Sequence, residues 1–172
     1  MFAHRIDTIG DNPQWSQEAA TWFAEKWGIP AEAYLESMNE SAPMHTGDNQ
    51  SANMQPVPQW FIVRDCNNPE NPIIAGCGII ENDFHDRPDL SPNLCALFVE
   101  ERFRNRGLAT QLLDAARTYV GAHGIDSLYL ITDHTNFYEK LGWEYLGYVN
   151  ADDGTAMRMY RADASPKQPA LN

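Results

Sequence analysis

The sequence predicts an α/β fold: a mixed sheet with helices on both faces. Three observations predict it. Apolar runs bounded by turn residues alternate along the chain with stretches of helical spacing. Residues 94–99 form a continuous apolar run, the pattern of a strand buried on both faces, and pass through a charged turn at 100–106 directly into a helix. That helix, marked by Leu108, Leu112, Leu113, Ala116 and Val120, joins the run to a second strand at 127–132, and two strands joined by a crossover helix should lie parallel.

The other elements follow in order. Residues 2–8 read as a short first strand. Asn12 and Pro13 open a helix, a capping side chain followed by proline at the first helical position. Trp15, Ala19, Trp22, Phe23 and Trp27 share one stripe of it, which reads as core packing or as a pocket wall, and Gly28 ends it. Pro30 starts a shorter helix carrying Tyr34, Leu35 and Met38. Residues 39–58 are polar, contain Gly and Pro and lack periodicity; at a length beyond ~12–15 residues such a stretch is a flexible loop or an active-site flap. Residues 60–64 and 73–81 read as two strands of a hairpin around a 65–72 turn. Gly76-Cys77-Gly78 lacks the third glycine and the following helix of a dinucleotide fingerprint, so these glycines mark close packing or a bulge.

Residues 81–89 hold Glu81, Asp83, Asp86 and Asp89 with His85, four carboxylates and a histidine in nine residues. The bland reading is a solvated loop; the functional one is a segment that recognises a substrate and takes a proton. One histidine without fixed helical spacing is a poor metal site, and none is assigned. Beyond the central helix and Gly124 come a strand at 127–132, a short helix at 136–141, and strands at 143–149 and 156–161 joined by a 150–154 turn. Residues 1–161 read as a single domain and residues 162–172 as a frayed, polar, Pro-containing tail.

Composition narrows the function. With 172 residues and 43% apolar content the chain can bury a core. A net charge of -12 without any basic stripe argues against nucleic acid. Cys66, Cys77 and Cys95 are odd in number and form no CxxC pair, so neither a disulfide framework nor a zinc site is indicated. No segment approaches the ~20 apolar residues of a membrane span, and residues 1–7 lack a signal-peptide core. A cytoplasmic protein is expected, with no membrane partner and no bar to a homodimer.

Against this acidic background Arg102, Arg104 and Arg106 are three of only 12 Lys+Arg, and all stand at the start of the central helix. A helix N-terminus presents unpaired N–H groups and a partial positive charge, so this basic island suits an anion such as phosphate. Gly107 lets a ligand approach the backbone closely.

Here the sequence resembles the GNAT N-acetyltransferases. Their pyrophosphate loop reads Arg or Gln, two residues, Gly, one residue, Gly or Ala; this chain has Arg104-Asn105-Arg106-Gly107-Leu108-Ala109 between strand and helix. The family's FYxKLGF segment is matched by Phe137-Tyr138-Glu139-Lys140-Leu141-Gly142-Trp143, its tyrosine 34 residues beyond Arg104. The resemblance covers residues 58–161 and is weaker before them.

The resemblance implies a mostly antiparallel sheet with one splayed parallel pair, acetyl-coenzyme A as co-substrate, and direct transfer of its acetyl group to a primary amine through a tetrahedral intermediate. Leu97, Phe98, Val99, Arg104, Asn105, Arg106, Gly107, Leu108, Ala109, Thr110 and Asn136 are then the cofactor contacts. A backbone N–H near Phe98–Val99 would hold the oxyanion. Tyr138 matches the general acid for the thiolate; Glu81 is the expected base, with Asp83 and His85 as rivals. Many members carry an asparagine at the end of the strand preceding the tyrosine. Thr132 and Asp133 occupy that region here, and Asn136 is the substitute. Trp22, Asp83, His85 and Asp86 would line an acceptor pocket whose acidic and aromatic walls suit a small cationic amine, an aminoglycoside or a polyamine. Protein or peptide amines, or a non-catalytic coenzyme A sensor, are the alternatives.

Overall fold

The computed structural model describes residues 3–43 and 55–164. Most of the loop expected at 39–58 and the tail expected at 162–172 lie outside the described residues. The elements are β1 (His4–Thr8), α1 (Ser16–Trp27), α2 (Ala31–Asn39), β2 (Gln59–Asp65), β3 (Ile73–Ile80), β4 (Asn93–Val99), α3 (Leu108–Ala122), β5 (Ser127–Thr132), α4 (Phe137–Lys140), β6 (Glu144–Asn150) and β7 (Ala156–Asp163). The strands follow the order β1-β2-β3-β4-β5-β7-β6 in one mixed sheet. The chain divides into two compact units: residues up to Ile79 with Ala96–Leu112, and Ile80–Cys95 with the residues from Leu113 onward. β4 and α3 each contribute to both.

In the first unit β1 pairs antiparallel with β2, and β2 with β3. The expected glycine pair does mark close packing. A Cβ on Gly76 would lie 2.8 Å from Phe23 Cζ and from the Phe61 carbonyl oxygen, and one on Gly78 would lie 2.6 Å from the Trp60 ring. The backbone of β3 is therefore pressed against aromatic rings that any side chain would displace. Of the stripe, Ala19, Trp22 and Phe23 are buried, while Trp27 at the last turn of α1 is 47% exposed. Phe23 stacks on Tyr34 of α2 at 5.5 Å and meets the edge of Trp60 at 5.0 Å. Gly28 ends α1 with a left-handed φ of 69°.

The start of that helix differs from the sequence reading. Pro13–Trp15 is a single 3-10 turn, and α1 proper begins at Ser16. Asn12 caps nothing with its side chain; its Nδ2 donates to the Thr8 carbonyl at 2.9 Å. The local competitor for an asparagine amide, a backbone carbonyl four residues back, wins over the helix end.

In the second unit β4 and β5 are parallel, registered at Asn93↔Tyr129, and β5 pairs antiparallel with β7, which pairs antiparallel with β6. Leu112, Leu113, Ala116 and Val120 are buried as their spacing requires. β4 is buried in its first three residues and half-exposed in its last four, with Ala96 at a left-handed φ of 53° where the change occurs. The expectation of a strand buried on both faces holds only for its first half.

Candidate active site

The first unit holds the basic turn. β4 ends at Val99, Glu101–Phe103 form one 3-10 turn, and α3 opens at Leu108. The first helical bond of α3 runs from Gln111 N–H to the Gly107 carbonyl at 3.0 Å, so the N–H groups of Leu108, Ala109 and Thr110 precede it in the turn. Asn105 and Gly107 have φ of 60° and 79°, which swings the chain around the helix end. Phe103 is buried and fastens the turn, with the guanidinium groups of Arg102 and Arg106 over its ring at 4.8 and 5.4 Å. Arg104 folds back along β4; its Nε donates to the Val99 carbonyl at 3.0 Å and its guanidinium lies 5.5 Å from the Phe98 centroid.

Trp22 belongs to the same unit. Its ring meets the edge of Phe98 at 5.8 Å, and its Nε1–H donates to Glu100 Oε1 at 2.9 Å. Lys26 pairs with the same carboxylate oxygen at 2.5 Å and lies 5.5 Å from the Phe98 centroid. Phe98 is thus ringed by two cations and two indoles, since Trp27 also meets it at 6.3 Å. On the outer side of α1 a shallow cleft of about 550 Å³ is lined by Gln14, Gln17, Glu18, Thr21, Trp22 and Glu25. Glu18 is engaged there by Arg64 at 2.5 Å.

The second unit holds the acidic loop and the tyrosine. β3 stops at Ile80, so Glu81, expected as the last residue of that strand, lies just beyond it; Glu81 is exposed and accepts the Ser91 hydroxyl at 2.9 Å. Asp83 is half-buried, and burial pushes its carboxyl up to about 6, with His85 pulling the other way. His85 is buried. Its Nδ1 accepts the Arg87 N–H at 3.2 Å, which puts the ring proton on Nε2, donated to Asn93 Oδ1 at 2.6 Å. Both ring nitrogens are spent inside the protein, so the acceptor contact expected of His85 is not available to it. Asp86 is exposed but tied to β6, accepting the Asn150 N–H at 3.1 Å and its Nδ2 at 2.8 Å; these bonds hold its carboxyl below the usual range.

Tyr138 sits in α4, buried among Phe137, Trp143 and Tyr160 at centroid distances of 5.0, 6.0 and 5.7 Å. Asn136 precedes it with a left-handed φ of 67° and is exposed. Tyr160 donates to Glu139 Oε1 at 2.6 Å and accepts Arg158 Nε at 2.9 Å, so the floor beneath Tyr138 is itself fixed. Among the described residues no group of three or more His, Cys, Asp or Glu is placed to hold a metal ion, and no helix is long and apolar enough to cross a membrane.

A profile of the acetyltransferase (GNAT) domain matches residues 58–145, more than half of the chain. The chain belongs to the GNAT acetyltransferase family. Solved GNAT structures agree with the fold. An acetyltransferase of the GNAT family from Streptococcus pneumoniae superposes with a TM-score of 0.65 at 14% identity, covering 95% of this chain and 100% of that one. An aminoglycoside 6'-N-acetyltransferase complexed with coenzyme A gives 0.62 at 16% identity, covering 96% and 99%. A ribosomal-protein-S5-alanine acetyltransferase from Vibrio fischeri gives 0.64 at 10% identity, covering 96% of each chain. No curated protein matches the sequence.

As a GNAT chain the protein carries its two sequence motifs on separate units. Leu97, Phe98, Val99 and the 104–110 turn lie together in the first, with Trp22. Glu81, Asp83, His85, Asp86, Asn136 and Tyr138 lie in the second. Sequence reasoning missed Glu100 and Lys26, although Lys26 stands one helical turn from Trp22. It also missed Asn93, a polar residue that the apolar run beginning at Leu94 made look like the end of a loop.

Proposed function

We propose that the chain moves the acetyl group of acetyl-coenzyme A to a primary amine of a small cationic acceptor. The observation that carries this reading is the turn from Val99 to Thr110. It presents Arg104 and Arg106, a glycine with φ of 79°, and the leading N–H groups of α3 within the seven residues 104–110. The turn fits a diphosphate. A Cβ placed on Gly107 would meet nothing nearer than Gln111 Nε2 at 3.7 Å, so the space before the helix is open to a ligand, and a side chain there would both strain the backbone and fill it. Arginine forks add charge-assisted bonds to phosphate oxygens.

Acetyl-coenzyme A supplies an acyl group already activated as a thioester. The residues of the chain then have two proton tasks. An alkylamine is protonated at neutral pH, with a pKa of ~10 for a lysine-like group, and must lose a proton to attack. Of the two carboxylates first in line, Asp83 with a carboxyl near about 6 suits a base working near neutrality better than the solvated Glu81. The departing thiolate is a modest leaving group, pKa ~8.5, and Tyr138 is placed in the role of its proton donor by the motif around it. Asn136 serves the pantetheine arm in this reading.

A cationic acceptor is supported by the net charge of -12 and by Glu25 beside Trp22 in one cleft. The experiment is a panel of amines (aminoglycosides, polyamines, amino-acid amides) with thiol release from acetyl-coenzyme A as the readout, wild type beside Tyr138→Phe. Amine-dependent release, slowed in the variant, is expected. Binding of coenzyme A without release on any amine would overturn the enzymatic reading in favour of a sensor.

A further inference from the structure

We infer that Asn93 is a positioning residue, the fixed point from which the acidic loop holds Asp83 in place. The inference rests on the reading of Asp83 as the base and adds the group that sets its geometry.

Asn93 is the first residue of β4 and is fully buried, an unusual place for an amide side chain. Every polar atom of that side chain is used. Its Oδ1 accepts the backbone N–H of Asp83 at 2.8 Å and His85 Nε2 at 2.6 Å, and its Nδ2 donates to the Leu90 carbonyl at 2.7 Å. One side chain therefore pins three separate points of the loop between β3 and β4. Asn93 is itself fixed, because it is the residue of β4 registered with Tyr129 of β5. The anchor is a sheet position and the load is a loop, the arrangement that keeps a reactive group in one geometry.

The rest of the loop is closed around the same point. Asn82 and His85 exchange two bonds, Asn82 Nδ2 to the His85 carbonyl at 3.0 Å and His85 N–H to Asn82 Oδ1 at 2.9 Å. Between Asp83 and His85, Phe84 adopts a left-handed φ of 58°, and its carbonyl accepts the Asp152 N–H at 2.8 Å. A non-glycine residue in that region is strained and persists only when its surroundings impose it. Here the neighbours on both sides are bonded to Asn93. Asp83 keeps its own N–H on the anchor, next to the left-handed peptide of Phe84. The carboxylate is then half-buried because the backbone beneath it cannot lift toward water.

The test is a site-resolved carboxyl titration by carbon-13 NMR on the full chain, comparing wild type with Asn93→Ala, with calorimetric coenzyme A affinity as the control for folding. Asn93→Thr, which suits a strand but cannot reach the loop, serves if the alanine variant does not fold. In the wild type the Asp83 midpoint is expected near about 6, raised by burial, with His85 as the titratable neighbour that acts against the rise. In either variant the midpoint falls toward the ordinary ~4 as the loop loosens and water reaches the carboxylate, while coenzyme A affinity stays at the wild-type level. A midpoint that stays near 6 in a folded variant, or a wild-type midpoint already at the ordinary value, would overturn the inference. The base assignment is tested separately: full turnover by Asp83→Asn on an amine the wild type accepts would overturn that reading, even where the fallen midpoint in Asn93→Ala shows the pinning to be real.

Discussion

The guanidinium of Arg104 lies 5.5 Å from the centre of the Phe98 ring while its Nε–H is held by the Val99 carbonyl at 3.0 Å. The first arginine of the pyrophosphate motif is thereby fastened to the end of β4, and its terminal nitrogens are the ones a phosphate would take. Its planar fork makes both contacts at once, which a lysine cannot do. Arg104→Lys should weaken coenzyme A binding by about 10- to 100-fold, the scale of one charge-assisted hydrogen bond of ~1.5–3 kcal/mol. Isothermal calorimetry at fixed salt checks it.

Asp83 sets a pH dependence. Its carboxyl is raised to about 6 by burial, so as the proposed base it is disabled below that pH, and turnover should rise through pH 6 to a plateau. Stability runs the other way. The folded state holds this proton up to about 6 and the unfolded state only to ~4, so folding free energy contributed by Asp83 is lost as pH rises from ~4 to 6. Asp83→Asn should remove the acidic limb of the rate profile together with most of the activity, and flatten that part of the stability curve. Chemical denaturation at a series of pH values reads the second effect without any acceptor amine.

Tyr138 is held by ring contacts on Phe137, Trp143 and Tyr160, all of which a phenylalanine keeps. Tyr138→Phe should therefore lower kcat by ~10²-fold, at the low end of general acid catalysis, because water can protonate a thiolate of this basicity. Coenzyme A affinity should stay at the wild-type level. A fall in affinity with kcat intact would assign the tyrosine to binding.

A stability prediction concerns β3. Gly76→Ala would place a methyl 2.8 Å from both Phe23 Cζ and the Phe61 carbonyl, one a ring edge and the other backbone that cannot yield. Overpacking of this kind costs about 1–3 kcal/mol. The thermal midpoint should fall clearly, while coenzyme A affinity per folded molecule is preserved.

Much of this was readable from the chain because the strongest signals were local. β5 lies at Ser127–Thr132, where its apolar run placed it, and the central helix begins one residue after Gly107, because a switch in hydrophobic period is written in consecutive residues. The misreadings share a different cause. Asn12 looked like a cap, but a carbonyl at Thr8 competed for its amide. Trp27 fitted the stripe of α1, yet at the helix end it meets the Phe98 ring with one side and stays 47% exposed. His85 looked available because nothing in 81–89 reveals that Asn93 and the Arg87 backbone would occupy both its nitrogens. Asn93 itself could not be singled out, since a buried amide acquires its meaning from three partners that only the folded loop brings to it.

The most direct test of the account is a calorimetric titration of coenzyme A into the wild type and into an Arg104→Glu, Arg106→Glu double variant. Saturable binding by the wild type and a loss of at least ~100-fold in the variant are expected, since two cations proposed to hold the diphosphate become anions at the head of α3. Equal affinity in the two proteins, or none in the wild type, would contradict it.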